Sequence, residues 1–243
     1  MRTLFITLAL VGFGCGDDGE VTPPPIDAAV TPPDAAPVVA LDCPTFCTRV
    51  MANCTGANAQ YVDLAHCTGS CAAFVATGST VNDTSGNTLG CRIYHSGTPA
   101  MTTPAMHCVH TGPAGDVLNA AAPANCSGGD LCATFCALNI KTCGTTAAQV
   151  TVGGVLITAQ YASQAACETV CKNGDAAATP PILPFSKTNL YAVNSVGNSL
   201  ACRLNHWTNA ASFAAAGNGA NTNTHCSHQA AQPTAPCAGT ATP

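Results

Sequence analysis

Cys43-Pro44-Thr45-Phe46-Cys47-Thr48-Arg49-Val50-Met51-Ala52-Asn53-Cys54 is the stretch from which the fold can be read. Its cysteines follow C-x3-C-x6-C, and Cys132, Cys136 and Cys143 repeat that spacing unchanged. Residues i and i+4 share a helical face, so each C-x3-C predicts a helix presenting two cysteines to a neighbour. A second C-x3-C follows each set, at Cys67/Cys71 and at Cys167/Cys171. Two antiparallel helices with such pairs can be joined by two disulfides. The favoured pairing is Cys43–Cys71 with Cys47–Cys67, and Cys132–Cys171 with Cys136–Cys167. Spacing alone leaves other connectivities open. Cys54 lies on the same face as Cys47 and is available to Cys91 or a later cysteine.

Outward from these hairpins the repeat continues. Gly86-Asn87-Thr88-Leu89-Gly90-Cys91-Arg92-Ile93-Tyr94-His95 matches Gly197-Asn198-Ser199-Leu200-Ala201-Cys202-Arg203-Leu204-Asn205-His206. His107-Cys108-Val109-His110 matches His225-Cys226-Ser227-His228. The chain therefore divides into tandem modules, 43–126 and 132–237. The expected fold is mainly α: two small disulfide-stapled modules, each a helical hairpin with paired CxxxC plus a third helix. That third helix is expected to begin at Asn87 and Asn198, since Asn is a good cap. Asp42 and Asp130 precede the first helices and read as caps. Phe46, Val50 and Met51, and Phe135, Leu138 and Ile140, are expected to line those helices. Tyr61 and Tyr161, each six residues before a cysteine, read as packing residues. Val150 to Ile157 has a Gly-Gly centre and predicts a short hairpin present only in the second module. Residues 211–216 are expected to extend the third helix or form their own. The chain after Cys108 is Gly-, Pro- and Ala-rich and is expected to be irregular.

The 243 residues include 17 cysteines. Such usage points to an oxidising compartment. Met1-Arg2 followed by a short apolar run to Phe13 reads as a signal peptide, residues 1–14. Small residues before Cys15 suggest a lipidated cysteine at that position. Setting Cys15 aside leaves eight cysteines per module: Cys43, Cys47, Cys54, Cys67, Cys71, Cys91, Cys108 and Cys126, then Cys132, Cys136, Cys143, Cys167, Cys171, Cys202, Cys226 and Cys237. All are expected in disulfides. Residues 15–42, rich in Pro, Ala and Asp, read as a tether. Gly16 after Cys15 favours the outer membrane or cell surface over the inner membrane.

The net charge is −5, and six of the twelve acidic residues fall in the tether. The modules are near neutral, with no basic stripe, so nucleic acid is a poor partner. The membrane is met only through the N-terminal lipid. Large apolar side chains are few, so disulfides must make up for a thin core. No C-x-x-C-H occurs, which excludes an ordinary c-type haem. There is no Gly-x-Ser-x-Gly elbow, Walker A or dinucleotide fingerprint, and no catalytic residue is assigned. Asp116 has no counterpart in the second module and joins no carboxylate pair.

Six of the seven histidines fall at matching places: His95, His107 and His110 against His206, His225 and His228. Neutral imidazole suits zinc and copper. Three imidazoles plus water is an ordinary layout for a catalytic zinc. His107 and His110 can converge on one face, and His95 can join if Cys91 and Cys108 hold the two segments together. The alternative is structural: imidazoles that hydrogen-bond buried carbonyls, with His95 against Tyr94 or Pro99 and Arg92 on the flank.

Phe13-Gly14-Cys15-Gly16-Asp17-Asp18, the Pro/Ala/Asp tether and the repeated CRxxH…HCxH modules resemble the cysteine-rich surface lipoproteins of myxobacteria and related bacteria. The resemblance spans the chain and implies location and disulfide chemistry, without a biochemical activity. Two functions follow as expectations. One is a non-enzymatic surface-binding or structural lipoprotein, whose tandem modules engage a protein or glycan with avidity. The other is an extracytoplasmic zinc- or copper-binding protein using the histidine triplets, which as a metal-dependent enzyme could act through metal-bound water in hydrolysis or a redox role.

Overall fold

The computed structural model describes residues 39–116, 126–178, 184–185, 197–233 and 235–238. The expected signal peptide, Cys15 and the tether up to residue 38 lie outside the described residues. The protein is mainly α-helical and stapled by disulfides. In the first repeat, α1 (Cys43–Asn53) and α2 (Leu64–Cys71) form the hairpin, followed by α3 (Leu89–Ser96), α4 (Thr98–Thr102) and α5 (Pro104–Thr111). In the second, α6 (Leu131–Cys143) and α7 (Gln164–Asn173) form the hairpin, followed by α8 (Leu200–Ala215) and α9 (Gly219–Ser227). Between α6 and α7, β1 (Thr151–Val152) pairs antiparallel with β2 (Val155–Leu156). Gly153 and Gly154 both have positive φ, the conformation that a tight hairpin turn requires and glycine permits.

Local chemistry sets the helix ends. Asp42 and Asp130 accept from the backbone N–H of Thr45 and Ala133. The third helices start one residue later than the Asn positions suggest. The hydroxyls of Thr88 and Ser199 accept from the N–H of Cys91 and Cys202, so hydroxyl residues, not Asn87 and Asn198, close these N-termini.

Eight disulfides join all sixteen module cysteines, with Cα separations of 5.5–5.8 Å. The hairpins carry Cys43–Cys71, Cys47–Cys67, Cys132–Cys171 and Cys136–Cys167. Cys54 joins Cys108 and Cys143 joins Cys226. Cys91 joins Cys126 and Cys202 joins Cys237. Thus Cys91 and Cys108 are not bonded to each other. Two separate bridges hold α3 and α5, one to the segment at Cys126 and one to the end of α1. The connectivity is identical in both repeats, and no disulfide crosses between them.

The repeats nevertheless share one core. Phe46, Val50 and Phe74 of the first cluster with Phe135, Leu138, Leu204 and Trp207 of the second. Trp207 is fully buried, its ring centroid 6.2 Å from that of Phe74, and its Nε1–H donates to the carbonyl of Leu138. Helix α2 lies directly on α8: a Cβ at Gly69 would fall 2.6 Å from the Ser212 Cα. Ile140, expected in the core, is only partly buried. Among the described residues no helix is long and apolar enough to cross a membrane. The disulfides mark a chain folded outside the reducing cytoplasm.

Candidate metal centres

The six matched histidines form two clusters. His95 stands on the last turn of α3, while His107 and His110, three residues apart on α5, face it. His206 stands on α8, with His225 and His228 at the end of α9. In each cluster one ring nitrogen from every histidine lies within 4.8 Å of the others. His95 Nδ1 is 3.0 Å from His107 Nδ1, and His206 Nδ1 is 2.9 Å from His225 Nδ1. His228 Nδ1 is 3.1 Å from His206 Nδ1. Two nitrogens bound tetrahedrally to one zinc stand about 3.3 Å apart, given bonds of about 2.0–2.1 Å. The His95–His107, His206–His225 and His206–His228 pairs are thus within a few tenths of an ångström of ligating spacing, and the third nitrogen of each triplet lies within 4.8 Å. The ring arrangement recurs as well: His95 and His107 are stacked at 5.2 Å, His206 and His225 at 5.1 Å.

The surroundings orient the rings. His95 Nε2 meets the Thr84 carbonyl at 3.1 Å. A carbonyl can only accept, so the proton sits on Nε2 and the Nδ1 lone pair faces the cluster. His110 Nδ1 stands 3.6 Å from the Asp116 carboxylate. A proton held on that side leaves Nε2 for the centre. Asp116 has no counterpart in the second repeat, so no repeated motif marks it in the sequence. The sulfurs of Cys91 and Cys126, and of Cys202 and Cys237, lie close to His95 and His206, but as disulfides they are not thiolate ligands.

Burial pushes the titration of His110 down to about 4, with His95 adding to the effect and Asp116 opposing it. Burial, then His228 and His66, pushes His225 down to about 4 as well. His95 and His228 are lowered mainly by burial. Neutral imidazole is the form that binds a metal.

Each cluster is braced by an arginine and a tyrosine. Arg92 is fully buried rather than flanking the helix. Its Nε and Nη2 donate to the carbonyls of Gly112 and Pro113, just after His110, and its Nη1 donates to Thr88. Arg203 donates through Nε and Nη2 to Ala230, just after His228, and through Nη1 to Ser199. The guanidinium carbons lie 4.0 Å from the Phe74 ring centroid and 3.6 Å from that of Phe185. The aromatic faces and carbonyls take the place of a carboxylate counter-ion. Burial lowers both arginines to about 10, which leaves them charged at neutral pH. The Tyr61 hydroxyl donates to Thr111 and that of Tyr161 to Gln229, again directly after the last histidine. The tyrosines do pack, and they also pin this turn. CRxxH and HCxH are therefore two halves of one device: the arginine of the first holds the helix end that carries the second.

His66, without a counterpart, links the repeats. Its Nδ1 meets Asp63 and its Nε2 meets Asn209 of α8, each at 2.8 Å. His95 packs edge-on to Tyr94 at 5.1 Å.

Residues 36–135 match the family described as the BfoA family C-terminal domain. The match covers less than half of the 243-residue chain: the first repeat and the opening turn of α6. No curated protein and no solved structure matched.

Proposed function

We propose that this chain is an extracytoplasmic metal-binding protein with two three-histidine sites, one in each repeat, that take zinc or copper. The observation supporting this most directly is the convergence of three imidazole nitrogens within 4.8 Å in both repeats. Buried imidazoles kept neutral do not need one another to fold. Hydrogen bonds to carbonyls would serve as well, yet in both repeats the nitrogens point at each other. His95, His107 and His110 would hold one ion, and His206, His225 and His228 the other. All-imidazole sites suit zinc and copper, and three ligands leave a position for water or a small ligand. A bound ion would supply Lewis acidity there.

Lipid attachment at Cys15, with display at the outer membrane or cell surface, completes this reading. It is supported by the residues before Cys15 and by the resemblance to cysteine-rich surface lipoproteins of myxobacteria and related bacteria. The other reading, a surface module binding a protein or glycan, makes no use of the triplets and predicts a fold indifferent to chelators.

Elemental analysis of the exported full chain, with free-thiol titration on the same sample, tests the proposal. Zinc or copper at up to two ions per chain with no free thiol is expected, and H107A and H225A should each remove one ion. A chain that stays metal-free after incubation with both metals would overturn it.

A further inference from the structure

The two sites have different surroundings. In the second repeat α8 runs unbroken to Ala215, which brings Phe213 flat against His225 at 5.4 Å and 14°. In the first repeat the matching helix stops at Ser96. Gly97 leaves helical geometry, Thr98 and Pro99 start a new short helix, and among the described residues His107 stacks on His95 with no phenylalanine ring against it. The break opens a cleft of about 510 Å³, walled by His107, Tyr94, Asn82, Thr98 and Arg49. That size is within the usual range for small-molecule sites.

Arg49 is the unusual member. Of the other cations among the described residues, Arg92 and Arg203 are buried against carbonyls, Lys141 donates to the Ala72 carbonyl, and Lys172 pairs with Asp130 and Glu168. No ion pair among the described residues engages Arg49. Gly97 makes room for it: a Cβ there would fall 3.3 Å from Arg49 Nη1. The second repeat has Leu138, Asn205 and Thr208 at the places of Arg49, Tyr94 and Gly97. All three departures fall on the cleft.

From these observations, which rest on the metal-binding reading above, we infer that the first site alone takes a small carboxylate or similar oxyanion, bound between its metal ion and Arg49. A planar guanidinium with free N–H groups matches a carboxylate. The remaining metal position takes the other end of the ligand or its second oxygen. The second site, with Phe213 stacked on His225 and Leu138 at the place of Arg49, holds its ion without such a ligand.

The test uses the full chain loaded with cobalt(II), whose visible bands report its ligands, and azide as the probe anion. Cobalt content is measured first. A chain that binds no cobalt, zinc or copper overturns the metal-binding reading and this inference with it. With two ions bound, azide should change the bands of one ion. H225A should keep that response and H107A should lose it. R49A should weaken azide binding about tenfold or more, and R49K by less. Acetate should compete with azide. A response from both ions, from neither, or one unchanged in R49A would overturn the inference. So would an R49A effect confined to thermal stability, which would make Arg49 only a partner for the carbonyl end of α3.

Discussion

At the scale of single residues, the two buried arginines explain why CRxxH and HCxH travel together. Arg92 reaches past its own helix to the carbonyls that follow His110. Lysine cannot reproduce a three-way fork. R92K should therefore cost about 1–3 kcal/mol of stability by leaving buried carbonyls unmatched. It should weaken metal binding at the first site and spare the second, which denaturant titration and zinc titration would each show. The histidines set the response to acid. His110, facing His95, His107 and Asp116, and His225, facing His206, His228 and His66, titrate lower in the fold than in the unfolded chain. The unfolded state then binds more protons between about pH 6.5 and pH 4. The metal-free chain should be most stable above about pH 6.5 and lose stability as the pH falls toward 4. Melting temperatures of chelator-treated protein across that range would check the sign. The double variant H110Q/H225Q should flatten the slope.

At the scale of elements, the site depends on where α5 and α9 are held. Each histidine pair flanks a cysteine that ties its helix to the end of the first helix, through Cys54–Cys108 and Cys143–Cys226. Replacing Cys54 and Cys108 together by alanine should destabilise the chain by about 2–5 kcal/mol. It should also weaken the first site more than the second, because α5 then loses its covalent tie to the end of α1 and keeps only non-covalent contacts, among them the Arg92 and Tyr61 hydrogen bonds at its C-terminal turn. Separate titration of each site, in H225A and H107A backgrounds, would measure that split. The same logic separates α8 from its counterpart. Gly97 and Pro99 break the first repeat's helix, whereas Thr208 and Ala210 let the second continue.

At the scale of the molecule, two repeats unlinked by any disulfide are joined by packing. Trp207 stands where the first repeat has Ser96, and it fills the junction beside Phe74. W207A should cost about 3–5 kcal/mol. G69A should push α2 from α8 and cost about 1–3 kcal/mol. Because the core is continuous across the repeats, calorimetry should give one cooperative transition for the native chain and two for W207A/G69A.

Much of the architecture follows from the order of residues alone. C-x3-C pairs dictate stapled hairpins because a helix repeats its face at every fourth residue. Asp42, Asp130 and the Gly-Gly hairpin act on neighbours a few positions away, and the histidine triplets stand out because the chain carries them twice. What only the tertiary structure decided involves partners far apart in sequence. Examples are the choice of Cys108 for Cys54, the Arg92 and Arg203 forks on distant carbonyls, and Asp116 behind His110. Trp207 against the other repeat and the meeting of Arg49 and His107 in one cleft belong with them. Spacing reports which side chains share a face of one helix. Which faces meet depends on burial and on the matching of polar groups across the whole chain, and no local pattern records that.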